Sequence, residues 1–154
     1  MDEVDRLILQ ALQEDGRTPF TQIAKKAGVS ETTIRSRYRN LVDEGVVRTV
    51  SIVDPFALDF QAPAMIGIST EPGKIEAVAK AVSELPEVSY LVLTLGAYDL
   101  LVEVYCRNLQ HLTNLVTQQI QLIPGVRATE TLMVAKMYKL SYRWSPASDS
   151  DDID

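Results

Sequence analysis

The chain has 154 residues, 46% of them hydrophobic, and a formal net charge of −6. That is enough apolar material for one domain or two small ones, and the acidic total disfavours a general nucleic-acid compactor, which profits from excess positive charge. The single cysteine, Cys106, excludes an internal disulfide, and no CxxC or Cys/His spacing exists to hold a metal, so no metal and no cofactor is expected. An N-terminus that opens into an acidic amphipathic pattern, with no apolar run of membrane-spanning length, points to a soluble cytoplasmic protein.

The charge is uneven along the chain. Residues 1–50 hold eight Lys/Arg and eight Asp/Glu, so the acidic excess lies in the remainder, four charges of it after Trp144. Between Lys25 and Arg39 five basic side chains face Glu31 alone. The first helix is marked by Asp2 as a cap and by Val4, Leu7, Ile8, Ala11 and Leu12 at helical spacing, and Gly16 ends it. Thr18 and Pro19 read as a cap followed by proline at the first helical position of a short second helix, with Phe20, Ile23, Ala24 and Ala27 inward. Gly28 then turns the chain, Ser30 caps a third helix, and Ile34, Tyr38, Leu41 and Val42 form its inner side.

The outer side of that third helix is centred on Ser36 and flanked by Thr32, Thr33, Arg39 and Asn40, with Arg35 and Arg37 at the margins. Short hydroxyls and an amide can approach base edges while arginines at the rim meet phosphates. Together with Ser30, these residues are the candidate DNA-binding set. For a lone basic helix an ordinary solvated face is an equal alternative, but two further helices and a glycine turn match the helix-turn-helix layout. Residues 46–53 read as a strand, either a small wing or a link to the next domain, and Asp54-Pro55 breaks it.

From Pro63 the pattern becomes alternating. A strand at 64–70, a helix at 74–85 with Ile75, Val78, Ala79 and Val82 inward, and a strand at 88–95 are followed by a tight connection, Gly96, Ala97, Tyr98 and Asp99. A third strand at 100–106, a helix capped by Asn108 with Leu109, Leu112, Leu115, Val116 and Ile120 inward, and a last strand at 126–138 complete a βαββαβ order. Leu85-Pro86-Glu87-Val88 recurs as Ile123-Pro124-Gly125-Val126, each time where a helix gives way to a strand. Two βαβ halves make a ferredoxin-like sheet with helices on one face, and apolar residues on its other face predict a homodimer, with larger rings of dimers as an extension. The fold class expected is α+β: a winged helix-turn-helix domain (1–53), a linker (54–62), a ferredoxin-like domain (63–142) and a disordered acidic tail (143–154).

The chain resembles the Lrp/AsnC, or feast/famine, transcription regulators from Asp2 to about Tyr142. The likeness rests on Asp2, Asp5, Ile8-Leu9, Gly16-Arg17, Ile23-Ala24, Gly28-Val29-Ser30, Thr33, Arg37, Leu41, Gly45-Val46-Val47, Asp54-Pro55 and Leu58. In the second half it rests on the βαββαβ order and on Gly96, Ala97, Tyr98 and Asp99, similar to the family's glycine, aromatic, aspartate turn. Tyr38, Asn40 and Val42 depart from the family pattern, and Asn40 on the outer face would alter which sequence is read. The resemblance implies a double-stranded DNA partner, a dimer that is frequently an octamer of four dimers, and a small effector, commonly an amino acid, bound at a subunit interface around 96–99. The residues agree in part: Asp99 can pair with an ammonium group and Tyr98 offers an aromatic wall, whereas glycine and aspartate also simply favour hairpins. Thr131 and Met133 are weaker effector candidates, with sheet packing an equal alternative for them.

Other chemistries fare less well. His111 has no serine, cysteine or carboxylate at diagnostic spacing and reads as a surface residue. A tetrapyrrole decarboxylase-like enzyme on the same two-domain plan would need more histidine and arginine than Arg107 and His111 supply. An architectural DNA-binding protein with little sequence preference fits poorly with the zero charge balance of residues 1–50.

Overall fold

The structure, a computed structural model, describes residues 1–141, so the tail expected to be disordered lies outside the described residues. The chain divides into two compact units, Met1–Ile52 with the stretch beginning at Lys139, and Val53–Tyr138. Residues 139–141 therefore group with the first unit and not with the second, and Leu140 and Ser141 line a cleft of about 420 Å³ there with Leu9, Leu12, Gly16 and Val47.

The first unit is three helices. In α1 (Glu3–Glu14) a reciprocal cap joins Asp2 and Asp5 and the buried apolar side is Ile8 and Leu9. Thr18 does not cap α2 (Phe20–Ala27). Its hydroxyl donates back to the carbonyls of Ala11 at 3.3 Å and Asp15 at 2.8 Å, which closes the end of α1. Pro19 is itself the residue before α2, because its ψ of 138° keeps it extended although its ring sets a helical φ of −63°. Helix α2 ends at Gly28, whose φ of 68° and ψ of 27° are left-handed, and α3 (Glu31–Asp43) begins behind Ser30. Ile8, Leu9, Ile23, Ala24, Ile34 and Leu41 make the core of this unit. Val42, expected inward, is 41% exposed, while Tyr38 is half-buried with its ring 5.2 Å from Phe20.

The strand and wing expected at 46–53 are not there. Residues 47–53 have no regular structure, and Val46, Val50, Ile52 and Val53 are each more than half exposed. β-Branched side chains favour extended backbone, but a strand exists only where another supplies partners for its N–H and C=O groups.

The second unit opens with a 3₁₀ turn, Pro55–Leu58, capped by the Asp54 carboxylate. Strands β1 (Ala62–Thr70), β2 (Val88–Leu93), β3 (Leu100–Cys106) and β4 (Val126–Met133) form one antiparallel sheet in the order β2-β3-β1-β4. Helices α4 (Ile75–Ser83) and α5 (Leu109–Asn114) complete the βαββαβ order, α5 continuing through a π turn at Leu115–Gln119 and a 3₁₀ turn at Ile120–Leu122. The repeated proline segments form the same turn twice: Val88 N–H donates to Leu85 C=O at 3.1 Å and Val126 N–H to Ile123 C=O at 3.0 Å. Ala64, Ile66, Ile68, Val102 and Val104 pack against Val78, Val82, Leu112, Leu115 and Ile120 on the helix side.

Several residues and boundaries differ from the periodicity, among them a shorter α4 and a β1 that begins at Ala62. Leu109 is 64% exposed, since it sits in the first turn directly after its cap, Asn108. Strand β2 stops at Leu93, leaving Leu95 in the turn at 98% exposure. Strand β4 stops at Met133: Val134 N–H still reaches Pro63 C=O at 2.9 Å, but proline has no N–H to return the bond, so the ladder goes no further although β1 begins at Ala62. The register places Tyr90, Val92, Leu101, Met65, Gly67 and Leu132 on the face away from the helices, where Tyr90 is 55% and Leu132 49% exposed.

Candidate DNA-reading helix and effector turn

Helix α3 is held at its start by its own hydroxyls. Ser30 Oγ accepts from Thr33 N–H at 3.1 Å and lies 2.8 Å from Thr33 Oγ1, so both side chains of the expected DNA-binding set are engaged in the cap. The margin arginines differ from each other. Arg35 Nη2 pairs with Glu31 Oε1 at 2.6 Å and its guanidinium lies 5.4 Å from the Phe20 ring centre, and the exposed ion pair is worth at most about 1 kcal/mol. Arg37 turns inward to α1 and donates to Asp2 and to Asp5, the latter at 3.2 Å. A wheel angle gives only its place at the rim and does not reveal these partners, which lie more than thirty residues earlier in the chain. The Asp5 N–H and the Arg37 guanidinium hold the Asp2 carboxyl below the usual carboxylate range, and those carboxylates raise Arg37 in turn.

Four members remain outward and exposed: Thr32, Ser36, Arg39 and Asn40. Among the described residues none of the four has a side-chain hydrogen bond or ion pair. They present two hydroxyls, one guanidinium and one amide, a set able to meet base edges and a phosphate together.

In the second unit the turn at 96–99 is tied down by its own residues. Asp99 Oδ2 accepts from Thr70 N–H at 2.6 Å and from the Thr70 hydroxyl at 3.0 Å, while Asp99 N–H donates to Ile68 C=O at 3.0 Å. These donors, with a smaller contribution from Arg127, hold the Asp99 carboxyl below its ordinary value. The Tyr98 ring lies over Gly67 of β1, so close that a Cβ there would come within 2.5 Å of the ring, and its hydroxyl donates to Glu130. Hydrogen bonding to Glu130 raises the Tyr98 phenol above its usual value. Gly96 and Ala97 are exposed.

Thr131 and Met133 are not brought to this turn. Their register opposite Ile66 and Ala64 points them to the helix side, while Glu130, opposite Gly67, shares the other face with Tyr98. Gly67 and Glu130 escape a reading of the sequence. A glycine inside an apolar strand is the available signal, since it often marks a close approach. His111 Nε2 lies 2.9 Å from Glu87 Oε1, and the Cys106 thiol is pushed up to about 11, chiefly by burial and then by Glu87. Among the described residues no helix is long and apolar enough to cross a membrane.

Residues 1–42 match the AsnC-type helix-turn-helix domain and residues 63–144 the Lrp/AsnC ligand binding domain. An uncharacterized HTH-type transcriptional regulator of Pyrococcus abyssi is 37% identical over 92% of this chain and 90% of its own length. The HTH-type transcriptional regulator FL11 of Pyrococcus horikoshii is 36% identical over 90% of this chain and 92% of its own. The structure of E. coli AsnC superposes with a TM-score of 0.84 at 30% identity, covering 95% of this chain and 99% of that one. A transcriptional regulator of Neisseria meningitidis, solved in complex with L-Met, shares the fold with a TM-score of 0.82 at 24% identity over 96% of each chain. With a helix-turn-helix carried on α2 and α3, a four-stranded antiparallel α+β unit following it in the chain, and both halves matched in this order, the chain belongs to the Lrp/AsnC family of transcription regulators.

Proposed function

We propose that this regulator reads specific DNA sequences through Thr32, Ser36, Arg39 and Asn40 of α3, with Arg35 as an exchangeable phosphate contact, and that a small amino-acid effector controls it. The observation that carries the DNA reading is the sorting of α3: cap and clamp residues are occupied within the unit, and the four left outward are those with base-reading or phosphate-binding chemistry. A sequence-indifferent binder would draw its affinity from phosphates alone, and residues 1–50 carry no net positive charge to supply it.

For the effector, the turn at 96–99 with Glu130 offers an aromatic ring and two carboxylates suited to an ammonium group. Thr70 occupies one oxygen of Asp99, and among the described residues Oδ1 has no hydrogen-bond partner. The exposed apolar residues on the face of the sheet away from the helices, such as Tyr90 and Leu132, support assembly through a second copy as a dimer, and the family resemblance extends this to an octamer of four dimers. An effector that binds one such arrangement more tightly would shift the spacing of reading helices against half-sites.

The test compares affinity for the upstream region of the protein's own gene with affinity for a scrambled duplex across salt, with and without each amino acid. A specific ratio well above one that one amino acid alters is the expected result. A ratio near one at every salt concentration would overturn sequence reading, and a ratio that no amino acid moves would overturn the effector class.

A further inference from the structure

The cap of α1 and the reading helix share one guanidinium. Asp2 Oδ1 accepts from Asp5 N–H at 3.1 Å, and Asp5 Oδ2 accepts from Asp2 N–H at 3.0 Å, so the reciprocal cap uses one oxygen of each carboxylate. The other two oxygens, Asp2 Oδ2 and Asp5 Oδ1, both accept from Arg37 Nη1. Every carboxylate oxygen of the pair thus has a donor. The Asp5 side chain is only 12% exposed, so water is a poor substitute for Arg37 there.

We propose that Arg37 is a positioning residue for DNA reading: it acts through Asp2 and Asp5 to fix the roll of α3 against α1, and it makes no phosphate contact. The proposal rests on α3 being the reading helix. Ile34 and Leu41, buried one turn before and one turn after Arg37, set how closely α3 packs, but apolar contacts of this kind tolerate rotation about the helix axis. A charged fork held by two carboxylates on one flank does not, because charge-assisted hydrogen bonds are directional. Side-chain tips lie roughly 5–6 Å from a helix axis, so a roll of about 20° moves Ser36 or Asn40 by about 2 Å. That is enough to break a hydrogen bond to a base edge, whereas a phosphate contact made by a long arginine adapts.

The experiment measures the affinity of the full chain for its own upstream region and for a scrambled duplex across salt, for Arg37→Gln, Asp2→Asn, Arg39→Gln and Ser36→Ala. Helical circular dichroism selects a temperature at which each variant is folded. Arg37→Gln should lower the specific-to-scrambled ratio about tenfold, the size of a lost base contact, with the salt slope unchanged. Arg39→Gln should instead reduce the slope by about one. Asp2→Asn is the decisive variant, and Asp2 is exposed enough for it to fold if Arg37→Gln does not. Removing an anion from the DNA-binding unit should strengthen binding to any duplex on charge grounds alone, yet loss of the clamp predicts a lower specific ratio. A slope reduced by about one in Arg37→Gln, or an unchanged ratio in Asp2→Asn, overturns the proposal. If Ser36→Ala and Arg39→Gln both bind as the parent does, it is the assignment of α3 as reader that fails.

Discussion

Gly67→Ala should couple to Tyr98 more strongly than to any other side chain. The added Cβ would lie 2.5 Å from Tyr98 Cγ and 2.6 Å from both Cδ atoms, inside contact distance for the whole near edge of the ring. Overpacking of this kind costs about 1–3 kcal/mol. In a Tyr98→Ala background the clash is gone, and alanine in place of glycine within a strand should contribute about 0.5–1 kcal/mol in favour of folding. The difference between the two backgrounds is therefore about 1.5–4 kcal/mol, and with a urea slope of about 2 kcal/mol/M it appears as a midpoint displacement of about 1–2 M. Urea unfolding followed by circular dichroism measures it for the parent, both single variants and the double variant. If the ring swings away, the cost falls, but the hydroxyl then leaves Glu130, and Tyr98 titrates at an ordinary tyrosine value by phenolate absorbance. Equal costs in both backgrounds, with an unchanged tyrosine titration, would refute the packing argument.

Thr32→Ala and Ser36→Ala should relax sequence preference while leaving scrambled-duplex affinity within about twofold, measured by fluorescence anisotropy. Gly28→Ala, at a φ of 68°, should destabilise the first unit by about 1 kcal/mol or more in thermal unfolding, with Gly28→Asn milder because asparagine tolerates the left-handed region. Ile34→Ala, at a fully buried position between the helices, should cost about 2–5 kcal/mol and abolish DNA binding near the melting point. The Asp99 carboxyl titrates below the ordinary aspartate value when folded, so its tie to Thr70 contributes stability that is complete above that ordinary value and is lost as pH falls through the lowered one. Asp99→Asn should remove that acid-side dependence in unfolding measured from neutral to low pH, while Thr70→Val, which keeps the backbone N–H and loses only the hydroxyl, should reduce it in part; a dependence fully retained in Asp99→Asn would place its origin elsewhere.

The second unit is legible in the sequence because strands with one buried face alternate and because Pro86, Pro124 and Gly96 punctuate them. Its element order follows from that periodicity, but its register does not. Register is what puts Thr131 and Met133 on the helix side and Glu130 beside Tyr98, and it depends on pairing between residues some thirty to seventy positions apart. The absence of a strand at 46–53 has a related cause: propensity speaks for an extended backbone, and only a partner makes a strand of it. In the first unit the third helix, its Ser30 cap and its glycine turn are visible locally. Arg37 is not, because an arginine at the margin of a helical wheel looks the same whether it meets solvent, a phosphate or two aspartates on another helix. Thr18 and Pro19 show the same limit on a smaller scale, since one hydroxyl beside two helix ends can close either.

The outward chemistry of α3 bears on how sharply this regulator would choose its targets. A hydroxyl both donates and accepts, so Thr32 and Ser36 can satisfy more than one base, whereas the fixed amide of Asn40 matches adenine in two-point contact. An operator read this way would tolerate substitution at most of its positions and be strict at one or two. Such a protein would bind a graded family of related sites and not a single one, and the order in which genes respond would depend on how many of those few strict positions each promoter supplies.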